Sequence, residues 1–147
     1  MEWQEKLEQS VKGKKVLFLG VGNEMKADDG TGKCVLDRLK TEDKLFCGEM
    51  PENFISKIKK AGPDVVILID SVDFNRAPGE ICLCRPEVVE GGSLSTHSIS
   101  LSLMQKLLPG VEVYLLGIQP KSLEFGKPMS REAMQGAENM ANVLNRL

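Results

Sequence analysis

The sequence predicts an α/β protein in which helices cover both faces of a mostly parallel sheet, and three observations carry that prediction. Strand-like and helix-like segments alternate along the chain, which is the pattern of a three-layer α/β/α sandwich. Two continuous apolar runs, KVLFLGVG at 15–22 and DVVILID at 64–70, lack the polar alternation of a half-exposed strand and match strands buried on both faces. The chain has 147 residues, 41% of them hydrophobic, enough for one core and too few for two, so residues 1–147 are expected to form one domain.

The first strand, 15–22, ends in glycines and leads through NEMKADDGTG into GKCVLDRLK, where Cys34, Val35 and Leu39 stand near helical spacing. A short second strand follows around LFC at 45–47. In PENFISKIKKAG, Pro51 opens a helix, Phe54, Ile55 and Ile58 share one side, and Gly62 ends it. DVVILID, with a β-branched core, is the clearest strand, and Asp70 is expected at its carboxyl end. The turn SVDFNRAPGE has no room for a crossover helix, so ICLC at 81–84 is expected to run antiparallel. Ser95 or Thr96 caps a helix that places His97 in its first turn and runs through Ile99, Leu101, Met104 and Leu108 to Pro109-Gly110. VEVYLLGI is the last strand, GIQPKSLEFGKPM a long loop and SREAMQGAENMANVLNRL a closing amphipathic helix.

Charge and composition exclude several classes of function. With 19 basic and 21 acidic residues the net charge is -2, and no run of like charge marks a nucleic-acid stripe. The apolar runs fall far short of the about 20 residues that span a bilayer, so no membrane insertion is expected. The first 15 residues mix both charge signs without an apolar core, unlike a secretory signal, and a cytoplasmic location is expected. Cys34, Cys47, Cys82 and Cys84 form no CxxC pair and are expected as reduced thiols packed like small hydrophobes. Cys82 and Cys84 alternate and so face one side of their strand.

Asp29, Asp70 and His97 are the candidate metal-ligating residues. An open parallel sheet gathers the carboxyl ends of its strands into one crevice, where residues distant in sequence converge. Two carboxylates brought together repel unless a cation or a shared proton compensates, and a neutral imidazole completes an oxygen and nitrogen donor set suited to a divalent transition metal. Three protein ligands leave the site open to a further ligand. Asp28, by contrast, is expected to satisfy backbone N–H groups at the start of the following helix. Gly20-Val21-Gly22 opens like a dinucleotide fingerprint, but the third glycine falls at Met25, and Glu24, Asp28 and Asp29 would repel a pyrophosphate. A nucleotide cofactor is therefore not expected.

Taken in order, GVGNEMKADDGTG, PEN, the LID strand with its PGE turn, THSISL and GIQP resemble the motifs of the hydrogenase maturation endopeptidases across nearly the whole chain. The similarity is greatest to the branch serving energy-converting or coenzyme F420-reducing hydrogenases. The resemblance implies a five-stranded mixed sheet with one antiparallel edge strand, here ICLC. It implies that Asp29, Asp70 and His97 are the metal-contacting and catalytic residues, Asp29 standing where other members have glutamate. It further implies an aspartic-type or metal-dependent endopeptidase that removes a C-terminal extension from the large-subunit precursor of a [NiFe] hydrogenase. Nickel(II) would arrive with that precursor, and the enzyme would act as a monomer. Many members carry an aspartate followed by Gly-Gly-Thr or Gly-Gly-Ser after the second strand, whereas this chain has Cys47-Gly48-Glu49-Met50. That departure leaves a second reading, a chaperone that senses nickel in the large subunit without cutting it.

Overall fold

The computed structural model describes residues 2–85, 95–96 and 101–147. Its centre is a sheet of β1 (Val16–Gly20), β2 (Lys44–Phe46), β3 (Val65–Asp73), β4 (Ile81–Cys84) and β6 (Glu112–Ile118), in the order β2-β1-β3-β6-β4. β1, β2, β3 and β6 pair in parallel, and β4 closes one edge antiparallel to β6. The edge strand is thus ICLC, as expected from the short turn that precedes it. A two-residue strand, β5 (Ser95–Thr96), pairs antiparallel with the end of β3, Val72 opposite Thr96.

Strand parity divides the core into two layers. Phe18 of β1, Val65, Ile67 and Ile69 of β3, and Tyr114, Leu116 and Ile118 of β6 pack against α1 (Glu2–Val11), α2 (Thr31–Arg38) and α5 (Arg131–Leu144). On the other face Leu17, Leu19, Val66, Leu68, Val113 and Leu115 meet Ile58 of α3 (Ile55–Ala61) and Leu101 and Met104 of α4 (Leu101–Leu107). With both faces covered, Val65 through Leu68 are fully buried, which explains why their run carries no polar alternation. Among the described residues no helix is long and apolar enough to cross a membrane.

Four features depart from the sequence expectation. α1 is not anticipated, although Trp3, Leu7 and Val11 recur every four residues and form its buried stripe. The helix expected from Pro51 begins as a 3-10 turn, Pro51–Phe54, before α3. β3 continues three residues beyond Asp70, because β6 pairs with it as far as Ser71 and β5 holds Val72 and Asp73. Ser95 and Thr96 form a short strand, and the helical first turn expected at His97 lies outside the described residues.

The chain direction reverses between β1 and β3: β1 leads outward through α2 to β2, while β3 leads to the opposite edge. The crevice beyond the carboxyl ends of these two strands is where an open α/β sheet places its site. Gly32, in the first turn of α2, lets that helix start directly on the crevice. A Cβ there would lie 2.3 Å from the Val21 carbonyl oxygen and 2.4 Å from that of Ile69. Both obstacles are backbone, so Gly32→Ala is expected to cost about 3 kcal/mol or more. An unchanged urea midpoint in that variant would refute this packing.

Candidate functional site

β1 hands its chain to the crevice through Val21, whose N–H donates to the Ile69 carbonyl at 2.9 Å. Gly22 follows with φ +133°, and a Cβ on it would fall 2.0 Å from the Asp29 carbonyl oxygen. Only glycine accommodates both that backbone angle and that approach. The chain then folds back as a 3-10 turn, Ala27–Gly30, which brings Asp29 against the residues that left β1. The Asn23 amide donates to Asp29 Oδ2 at 2.8 Å.

Asp70 reaches the same place from β3, one residue beyond the last β1–β3 pair, Gly20 opposite Ile69. Ser71 connects the two carboxylates. Its amide donates to Asp70 Oδ1 at 2.8 Å and its hydroxyl to Asp29 Oδ1 at 2.9 Å. Asp29 and Asp70 are fully buried and Ser71 almost so. The cost of burying two carboxylates is therefore offset in part by polar hydrogens aimed at them. Sequence reasoning misses Ser71, and its position directly after Asp70 is the available signal.

His97 lies outside the described residues, so of the expected trio the structure describes Asp29 and Asp70, each bonded to Ser71. Among the described residues no cluster of three histidine, cysteine or acidic side chains suited to a metal is present. Thr31, two residues after Asp29, opens α2 beside the crevice, and its buried hydroxyl has no hydrogen-bond partner among the described residues. Two cavities, of about 500 and 530 Å³, lie toward the amino ends of the strands, against Val16 and Phe18 and against Glu112 and Tyr114. Neither touches Asp29 or Asp70.

Asp28 does not cap α2, whose N-cap Gly30 has no side-chain hydrogen bond. Its buried carboxylate instead clasps the loop after β6. Oδ2 accepts from the Lys121 amide at 2.7 Å, the Ser122 amide at 3.3 Å and the Ser130 hydroxyl at 2.8 Å, and Oδ1 accepts from the Ser130 amide at 2.6 Å. Ser130 in turn caps α5 by accepting from the Ala133 amide at 3.1 Å. Gln119, from the GIQP motif, is a second fastener. Its Oε1 accepts from the Phe74 amide at 2.9 Å and the Arg76 amide at 3.3 Å, which secures the turn after β3.

The CGEM segment lies beside the Asp29 loop, since the Cys47 amide donates to the Gly20 carbonyl at 2.8 Å and the Gly22 amide to the Gly48 carbonyl at 2.9 Å. Cys47 is buried, and burial pushes its thiol up to about 12 although Lys57 opposes the shift. It is a neutral, packed thiol, as expected for a cysteine acting as a small hydrophobe.

These contacts can be tested one at a time. Asp28→Ala strands buried donors and is expected to lose about 3 kcal/mol or more in urea unfolding; a loss below about 0.5 kcal/mol would show that the clasp is dispensable. The raised Cys47 value means that the folded thiol stays protonated where the unfolded one ionises. Its contribution to stability is present below the unfolded value of 9.0 and fades as pH rises toward about 12. Native protein at a pH of about 8 should resist iodoacetamide at Cys47, and rapid alkylation there, read by peptide mass, would contradict the burial.

A family model described as hydrogenase maturation protease matches residues 43–146. The chain is 31% identical over 132 residues to the hydrogenase 3 maturation protease of Escherichia coli K12, covering 84% of this chain and 85% of that protein. It is also similar to the crystal structure of a [NiFe] hydrogenase maturation protease from Thermococcus kodakarensis, with TM-score 0.82, 32% identity and coverage of 96% and 97% of the two chains. The solution structure of an Escherichia coli endopeptidase matches with TM-score 0.75 and 26% identity over 90% of each chain. With its mixed sheet, its crevice and these relatives, the chain belongs to the hydrogenase maturation protease family.

Proposed function

We propose that this protein is an endopeptidase that removes the C-terminal extension of a nickel-loaded [NiFe] hydrogenase large-subunit precursor, with Asp29, Asp70 and His97 reading the nickel. The observation that carries the proposal is the convergence of two buried carboxylates from different elements on Ser71. Carboxylate oxygens suit a divalent transition metal, and a neutral imidazole would extend that donor set. Thr96, the residue before His97, pairs with Val72, two residues beyond Asp70 on the same strand. That pairing supports the inclusion of His97.

The metal belongs to the substrate in this reading. Only a precursor already holding nickel would gain the extra coordination energy from the crevice, so binding discriminates loaded from empty precursor. Hydrolysis needs a water proton taken as the oxygen attacks the scissile carbonyl, and a proton delivered to the departing amine. A carboxylate held by Ser71 is placed for that work, which typically contributes about a hundredfold or more in rate. Ser71 sets the orientation of both acids, so their donor atoms need little reorganisation during the reaction.

The decisive experiment mixes purified protein with its precursor, nickel-loaded and nickel-free, and follows intact mass. Loss of a C-terminal peptide from the loaded form alone is expected, and Asp70→Asn or His97→Ala should slow it by about a hundredfold or more with the fold retained. Full activity in both variants would sink the assignment of the site. A stable complex with no change in mass would favour the non-cleaving chaperone.

A further inference from the structure

The antiparallel edge strand carries a second chemical feature that the crevice does not use. Cys82 and Cys84 are alternate residues of β4, and both side chains lie on the face covered by α3 and α4. Their sulfurs are 3.4 Å apart and share a hydrogen bond. Cys84 is buried and Cys82 is half-buried, so the pair has one member open to a small reagent. The other two cysteines have different neighbours: Cys34 meets the thioether of Met134 at 3.6 Å, and Cys47 faces the Leu45 carbonyl at 3.8 Å.

We propose that Cys82 and Cys84 form a reversible intrastrand disulfide under attack by a hydroperoxide. Successive strand residues rise by about 3.3 Å, so alternate Cα atoms stand about 6.6 Å apart, at the upper end of the span that a disulfide bridges, and closing the bond draws the two Cβ atoms together along the strand. The hydrogen bond shared with Cys84, together with burial, holds the Cys82 thiol well above its ordinary range, and the same bond lowers Cys84. Two sulfurs already in contact place a resolving thiol beside whichever sulfur is oxidised first.

The chemistry balances with one equivalent of peroxide. One sulfur of the pair attacks a peroxide oxygen as its thiolate, the O–O bond breaks, and the departing hydroxide takes the released thiol proton to become water, leaving a sulfenic acid. The other sulfur then attacks the oxidised one, the S–O bond breaks, and the hydroxyl leaves as a second water with the remaining thiol proton. Two thiols are oxidised by two electrons and the peroxide is reduced. An external thiol reverses the bond by exchange. Cys82 pairs with Gly117, which in turn pairs with Asp70, so the disulfide would form in the same sheet row as the crevice.

The experiment treats the reduced full chain with equimolar hydrogen peroxide, unfolds it, blocks free thiols with N-ethylmaleimide and reads intact and peptide masses. The sequence has four cysteines. Two maleimide adducts are expected after oxidation and four after dithiothreitol, with the peptide containing residues 82–84 lighter by two hydrogens. Cys82→Ser and Cys84→Ser should each keep all three of their remaining thiols, and either variant suffices if the other fails to fold. Added oxygen on the 82–84 peptide that dithiothreitol does not remove, oxidation falling on Cys34 or Cys47 instead, or no loss of thiols would overturn the proposal.

Discussion

Parallel pairing of β1 with β3, from Val16 opposite Val65 to Gly20 opposite Ile69, sets where the loop after β1 meets the continuation of β3. A slip of one residue would turn Asp70 to the opposite face of the sheet. The register is held by burial on both faces: Leu19, Val65, Ile67 and Ile69 have no solvent exposure, so each slipped arrangement would transfer apolar groups between unlike layers. Gly32 then allows α2 to start against both strand ends, and the turn that carries Asp29 is confined between them.

Around this junction the polar groups divide into those that serve the fold and those that face the chemistry. Asp28 and Asp29 are neighbours and both fully buried, yet their carboxylates take different partners. Asp28 receives four donors from residues 121–130 and fastens that loop. Asp29 turns to Asn23 and Ser71, inside the crevice. The difference follows from the 3-10 turn, which directs adjacent side chains to different sides and so gives one acid to the loop and the other to β3.

The β6 side of the sheet extends the same frame. The Gly79 amide donates to the Gln119 carbonyl and the Gln119 amide to the Glu80 carbonyl, both at 2.8 Å, which ties the turn before β4 to the end of β6. The PGE and GIQP motifs therefore meet as a structural joint. β4, attached through that joint, carries the paired cysteines at the sheet edge, where one half-buried sulfur is open to small reagents while the apolar layer beneath stays closed.

The alternation of strands and helices, the antiparallel ICLC edge and the choice of Asp29 and Asp70 as acids beyond or near the carboxyl ends of strands were legible in the chain itself. They follow from local apolar runs, turn lengths and the topology these permit. The Asp28 clasp, the Ser71 link between the two acids and the extension of β3 to Asp73 emerge only once the elements are packed together. The reason is sequence distance: Ser71 meets Asp29 across 42 positions and Ser130 meets Asp28 across 102, so neither contact leaves a periodic signal. α1 falls between these cases, because its Trp3, Leu7 and Val11 stripe is visible locally but gains a place to pack only from the assembled sheet.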